Sequence, residues 1–129
     1  MNGELRFTID NLERRFIIRT YATKKVIEEK AGGNVLGLIQ LFTESQSSLL
    51  DTTIAFMFHS AVFGAHADNK PVDFTELDMY DWIDKTGGYS GELFKTFQAE
   101  LFESQGLKRV DNPEEEEQSE EVKADEKKN

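Results

Sequence analysis

Cysteine is absent from the 129 residues, which excludes disulfides, thiolate metal sites and cysteine nucleophiles and fits a reducing compartment. Histidine is scarce: His59 and His66 lie seven apart, and two imidazoles need a further ligand from elsewhere before they hold a zinc ion. The expected reading is of histidines that are either satisfied within the fold or exposed, with no metal and no cofactor. Serine-nucleophile chemistry lacks its motif, since GYSGE departs from GxSxG and the histidines lie in another stretch. A calcium loop begun at Asp68 would place Lys70, Val72, Asp73 and Met79 where oxygen ligands, glycine and glutamate belong. Asp78, Asp81 and Asp84 recur every three residues, the spacing of a solvated helix face. The pairs Gly32-Gly33 and Gly87-Gly88 follow helical stretches, so they read as helix ends and not as phosphate cradles. No enzymatic activity is expected.

A basic patch is missing too. The net charge is −10; nine carboxylates against three lysines after Val110 give that end −6 and leave about −4 for the rest. Phosphate backbones and anionic lipid would be repelled, so neither nucleic acid nor membrane is an expected partner. Glu4 and Arg6 interrupt the first residues before an apolar run develops, so a secretory leader is not expected and a cytoplasmic location is.

What the sequence does contain is SLLDTTIAFMFHSAVFGAHA, residues 48–67, without a formal charge between Asp51 and Asp68. Leu50, Ile54, Met57, Phe58, Ala61, Val62 and Ala65 follow helical spacing and predict a core-facing side. Leu49, Phe56 and Phe63 fall seven apart on another side, a second stripe that predicts either further core or a docking surface. Thr52, Thr53, His59, Ser60 and His66 break the apolar run too often for a membrane span. Ser48 with Asp51 reads as the start of this helix and Pro71 lies beyond its end.

Upstream, Leu5, Phe7 and Ile9 alternate with polar residues, and a two-residue turn at Asp10-Asn11 would oppose Ile9 to Leu12, Phe7 to Arg14 and Leu5 to Phe16. A hairpin is the favoured reading; a helix capped by Asn11 and running into the next segment competes with it. A helix follows from 20 or 21 to 31, with Lys24/Glu28 and Lys25/Glu29 pairs outside. Asn34 then caps a short helix with Val35, Leu38, Ile39 and Phe42 inward, before TESQSS returns the chain to loop. Further on, Thr75 and Asp78 mark a capped helix with Met79, Tyr80 and Ile83 inward and Trp82 near its edge. Ser90 is the expected cap of a last helix that carries Leu93, Phe94, Phe97, Leu101 and Phe102 inward.

The sum is a mainly α fold: a small bundle of about five helices over residues 1–107, with a short N-terminal β-hairpin. Residues 108–129 predict a disordered acidic tail, having Val110 and Val122 as their strongly apolar residues.

The layout of a hairpin, a helix ending IEEKAGGN, an amphipathic central region and FTELDMYDWIDKTGGYSGELFKTFQAELFESQG before an acidic tail resembles the tail assembly chaperones of long-tailed, siphovirus-type bacteriophages. The likeness covers residues 7–107. It implies a non-enzymatic helical protein of the host cell cytoplasm, absent from the mature virion. Such a protein binds the tape measure protein, keeps it soluble and helps recruit tail tube protein, with self-association left open. Leu49, Phe56, Phe63 and Trp82 are the partner-binding residues that the second stripe and the indole suggest. The alternative from another class is an acidic inhibitor or nucleic-acid mimic that fills a basic cleft in a host protein, which salt would weaken steeply.

Overall fold

The computed structural model describes residues 3–106; the acidic tail expected from 108 onward lies outside the described residues. The hairpin forms in the expected register: β1 (Glu4–Ile9) pairs antiparallel with β2 (Leu12–Ile17), with Ile9 opposite Leu12, Phe7 opposite Arg14 and Leu5 opposite Phe16. Asp10 and Asn11 both take positive φ, 55° and 65°, which a two-residue turn needs to match the strand twist and which Asp and Asn tolerate. The competing N-terminal helix is therefore not formed.

Five α-helices follow: α1 (Thr20–Lys30), α2 (Val35–Thr43), α3 (Gln46–Ala67), α4 (Glu76–Lys85) and α5 (Glu92–Ser104). Asn34 caps α2, its Oδ1 accepting the Leu36 N–H at 2.9 Å. Thr75 and Asp78 close a reciprocal capping box on α4. Two expected caps move. Ser45, not Ser48, starts α3 by accepting the Ser48 N–H, so TESQSS is mostly helix; Ser48 Oγ instead donates to the Leu41 carbonyl and ties α3 back onto α2. Ser90 lies in a 3-10 turn (Gly88–Ser90), and Gly91 is the N-cap of α5, a position where a Cβ would meet the Thr86 carbonyl oxygen at 2.0 Å.

α3 is the axis of the fold and packs against β2, α1, α2, α4 and α5. By length and composition it could cross a membrane, but ten of its residues are buried by these neighbours. Burial runs around the helix instead of along one stripe. The buried Thr52 and Thr53 hydroxyls donate to the carbonyls four residues back, at 2.7 and 2.8 Å, so they enter the interior without an unmet donor. The hairpin lies so close on α3 that Gly64 faces the Arg15 backbone.

Charges hold the hairpin to the α3–α4 connection. Arg15 pairs with both Glu4 and Asp68, Arg6 reaches Glu13 and Asp68, and Arg14 bonds Asp73 at 2.9 Å while its guanidinium covers the Trp82 ring at 4.8 Å. The hydrogen bond from Arg15, helped by the charge of Arg6, holds the Asp68 carboxyl below its ordinary range; the bond from Arg14 does the same for Asp73. A depressed folded value stabilises the fold above the unfolded pKa and is lost as pH falls. The melting temperature is therefore expected to drop on acidification from about pH 5 through the ordinary Asp value of ~3.9. Asp68→Asn should flatten part of that drop in thermal melts across the same window.

Candidate functional site

The four residues expected to bind a partner do not form one free surface. Phe56 is fully buried and stacks on Phe42 at 6.0 Å and 21° between planes, with Phe42 in turn edge-on to Phe102 of α5. α2 and α5 thus cover the side of α3 that spacing alone left open. Trp82 is buried as well, with Phe16 edge-on at 6.1 Å, Phe74 at 5.1 Å and Arg14 over its face. Leu49 is half-buried against the core. Phe63 is half-buried too, and stacks on Tyr21 at 5.5 Å beside His66. Phe56 and Trp82 are corrected from docking residues to core. Phe58, expected in the core, is partly buried at its margin, edge-on to Phe74 at 6.0 Å.

His59 is buried and its Nε2 lies 2.9 Å from Glu29 Oε1, while His66 is exposed. Glu29 therefore faces α3 and not Lys25, which reaches Glu28 at 3.9 Å instead. No group of three or more His, Cys, Asp or Glu side chains is placed to hold a metal ion among the described residues. Asp78 is committed to the cap of α4 and Asp81 to Lys85 at 3.0 Å.

The apolar surface lies elsewhere, on α2. This helix, VLGLIQLFT, has no charged residue, yet only Leu38 and Phe42 are buried; Val35, Leu36 and Ile39 are 63, 73 and 53 % exposed. The expected inward set of Val35, Leu38, Ile39 and Phe42 is thus half right. Two of its members sit outward because α3 receives a narrower strip of this nine-residue helix than the apolar spacing offers. An amphipathic surface helix normally turns charge to solvent, so three adjacent large aliphatics in that place are the feature that asks for a partner. The signal was present in the sequence: α2 is apolar on more sides than one small neighbour can cover. Tyr80, also expected inward, is 39 % exposed on α4 near Leu77 and Tyr89, a second and more broken apolar surface. Burial among neighbours, then the nearby Asp51 charge, raise the Tyr80 hydroxyl above its ordinary pKa.

Compared with protein-family models, curated proteins and solved structures, the chain finds no match.

Proposed function

We propose that this protein is a tail assembly chaperone of long-tailed bacteriophages. It acts in the host cytoplasm, holds the tape measure protein in solution, helps bring it to tail tube subunits and does not enter the finished virion. The observation that carries this reading is the uncharged, outward face of α2 at Val35, Leu36 and Ile39. A client that must be kept from aggregating offers apolar helical surface, and a helix-on-helix contact needs apolar anchors at i and i+4 spacing, which Val35 and Ile39 supply. The excess of carboxylates keeps the loaded complex soluble. The order of parts that resembles these chaperones adds to it.

Leu36→Asp combined with Ile39→Asp tests the reading. Both side chains are exposed, so the folded state should keep its melting temperature within a few degrees, while two charges enter the interface. Co-expressed with a tape measure protein, the double variant is expected to leave that protein insoluble where the parent keeps it soluble. Retention of the client by the double variant would contradict the reading. So would a complex that the parent loses steeply with added salt, the behaviour of an acidic mimic in a basic cleft.

A further inference from the structure

The α2 face is one end of a longer surface. Val35 also lines an open cleft of about 840 Å³ between α1 and the C-terminal half of α5, floored by Ile18 and Ile27. Its two walls differ in charge state. On the α1 wall Lys24 is bonded to Glu28 at 2.6 Å, and Arg19 at the rim reaches Glu4 at 3.8 Å, so the cations there are already answered. On the α5 wall Glu100 is buried and accepts the Gly3 N–H at 2.7 Å. One turn on, Glu103 is exposed and makes no ion pair among the described residues. Gln105 Nε2 donates to Thr23 Oγ1 at 3.2 Å and ties the two walls together. Among the described residues the cleft therefore offers apolar lining and one negative charge without an ion pair, continuous through Val35 with the apolar face of α2.

We infer that the α1–α5 cleft and the α2 face together seat an amphipathic helix of the partner, with its apolar side on Ile27, Val35, Leu36 and Ile39 and a lysine or arginine against Glu103. This rests on the docking role proposed above for α2 and adds the chemistry and orientation of what docks. The exposed Glu103 selects a basic-flanked helix, and an acidic one would meet it as a like charge.

The test uses the full chain and a labelled leucine–lysine amphipathic peptide of about 18 residues, five helical turns, with binding followed by fluorescence anisotropy. Because the whole protein is negative, Asp84→Lys serves as control: it changes net charge equally on α4, which does not line the cleft. Glu103→Lys is expected to weaken the peptide about fivefold, the size of an exposed pair turned from attraction to repulsion, and Asp84→Lys by no more than about twofold. Leu36→Asp should abolish binding. If Leu36→Asp abolishes it while Glu103→Lys acts no more than Asp84→Lys, the cleft assignment falls and the α2 docking face stands. If Leu36→Asp leaves the peptide bound, the docking face falls with it. A dimer that Leu36→Asp splits, with the peptide binding only the monomer, would give the surface to a second copy and overturn the inference.

Discussion

Phe56→Ala is expected to destabilise the protein by about 3–5 kcal/mol, and Phe56→Asp to leave it unfolded. The ring has no exposed surface and lies on Phe42, so its removal loses transfer energy and leaves a cavity that α2 and α3 can close only by moving together. A domain of this size has about 5–15 kcal/mol to lose, so the alanine variant gives up roughly a fifth or more of it. A carboxylate in that place adds a buried charge with no partner. Phe58→Ala is the informative comparison: Phe58 keeps solvent on one side, and its loss should be the smaller in urea unfolding. A smaller loss at Phe56 than at Phe58, or a folded Phe56→Asp protein, would contradict the burial of Phe56.

Gly64→Ala should also be damaging, although alanine is the better helix former. A Cβ there would lie 1.9 Å from the Arg15 carbonyl oxygen and 2.6 Å from its carbon, both backbone atoms of β2 that no rotamer change can move. The hairpin would have to lift from α3. Overpacking of this kind costs ~1–3 kcal/mol or more, and a contact this short with main chain belongs at the upper end. Exchange of Gly for Ala within a helix returns only ~1 kcal/mol. The net loss of about 2 kcal/mol should lower the melting temperature by roughly 10 °C. An unchanged or raised melting temperature would show that β2 does not rest on α3 at this point.

Several elements are legible from neighbouring residues alone, although the start of α3 is not, since Ser45 caps it three residues before the expected Ser48. The alternation and polar turn of the hairpin fix its register residue by residue, Asn34 and Thr75 cap where they stand, and Gly33 follows α1 with φ of +80°. What spacing along one helix does not contain is the number of neighbours that will cover it. α3 reads as a core face plus a spare stripe, yet α2 and α5 close over the stripe, with Thr52 and Thr53 entering the interior through bonds to their own helix. The same limit misplaced Val35, Ile39 and Tyr80, whose apolar character says that they can be buried but not that a partner within the chain is there. At the start of α5 the expected cap Ser90 is taken up by the 3-10 turn of Gly88–Ser90, and the helix begins one residue later at Gly91.

The central claim, that a client docks on α2, is tested most directly by amide hydrogen exchange on the complex with a co-expressed tape measure protein. Binding is expected to add protection across Val35–Thr43 and the adjoining face of α1, where Leu36 and Ile39 stand exposed in the free protein, and to leave the already buried centre of α3 around Phe56 unchanged. New protection confined to α4 and the Gly88–Ser90 turn around Leu77, Tyr80 and Tyr89, with α2 exchanging as in the free protein, would contradict it.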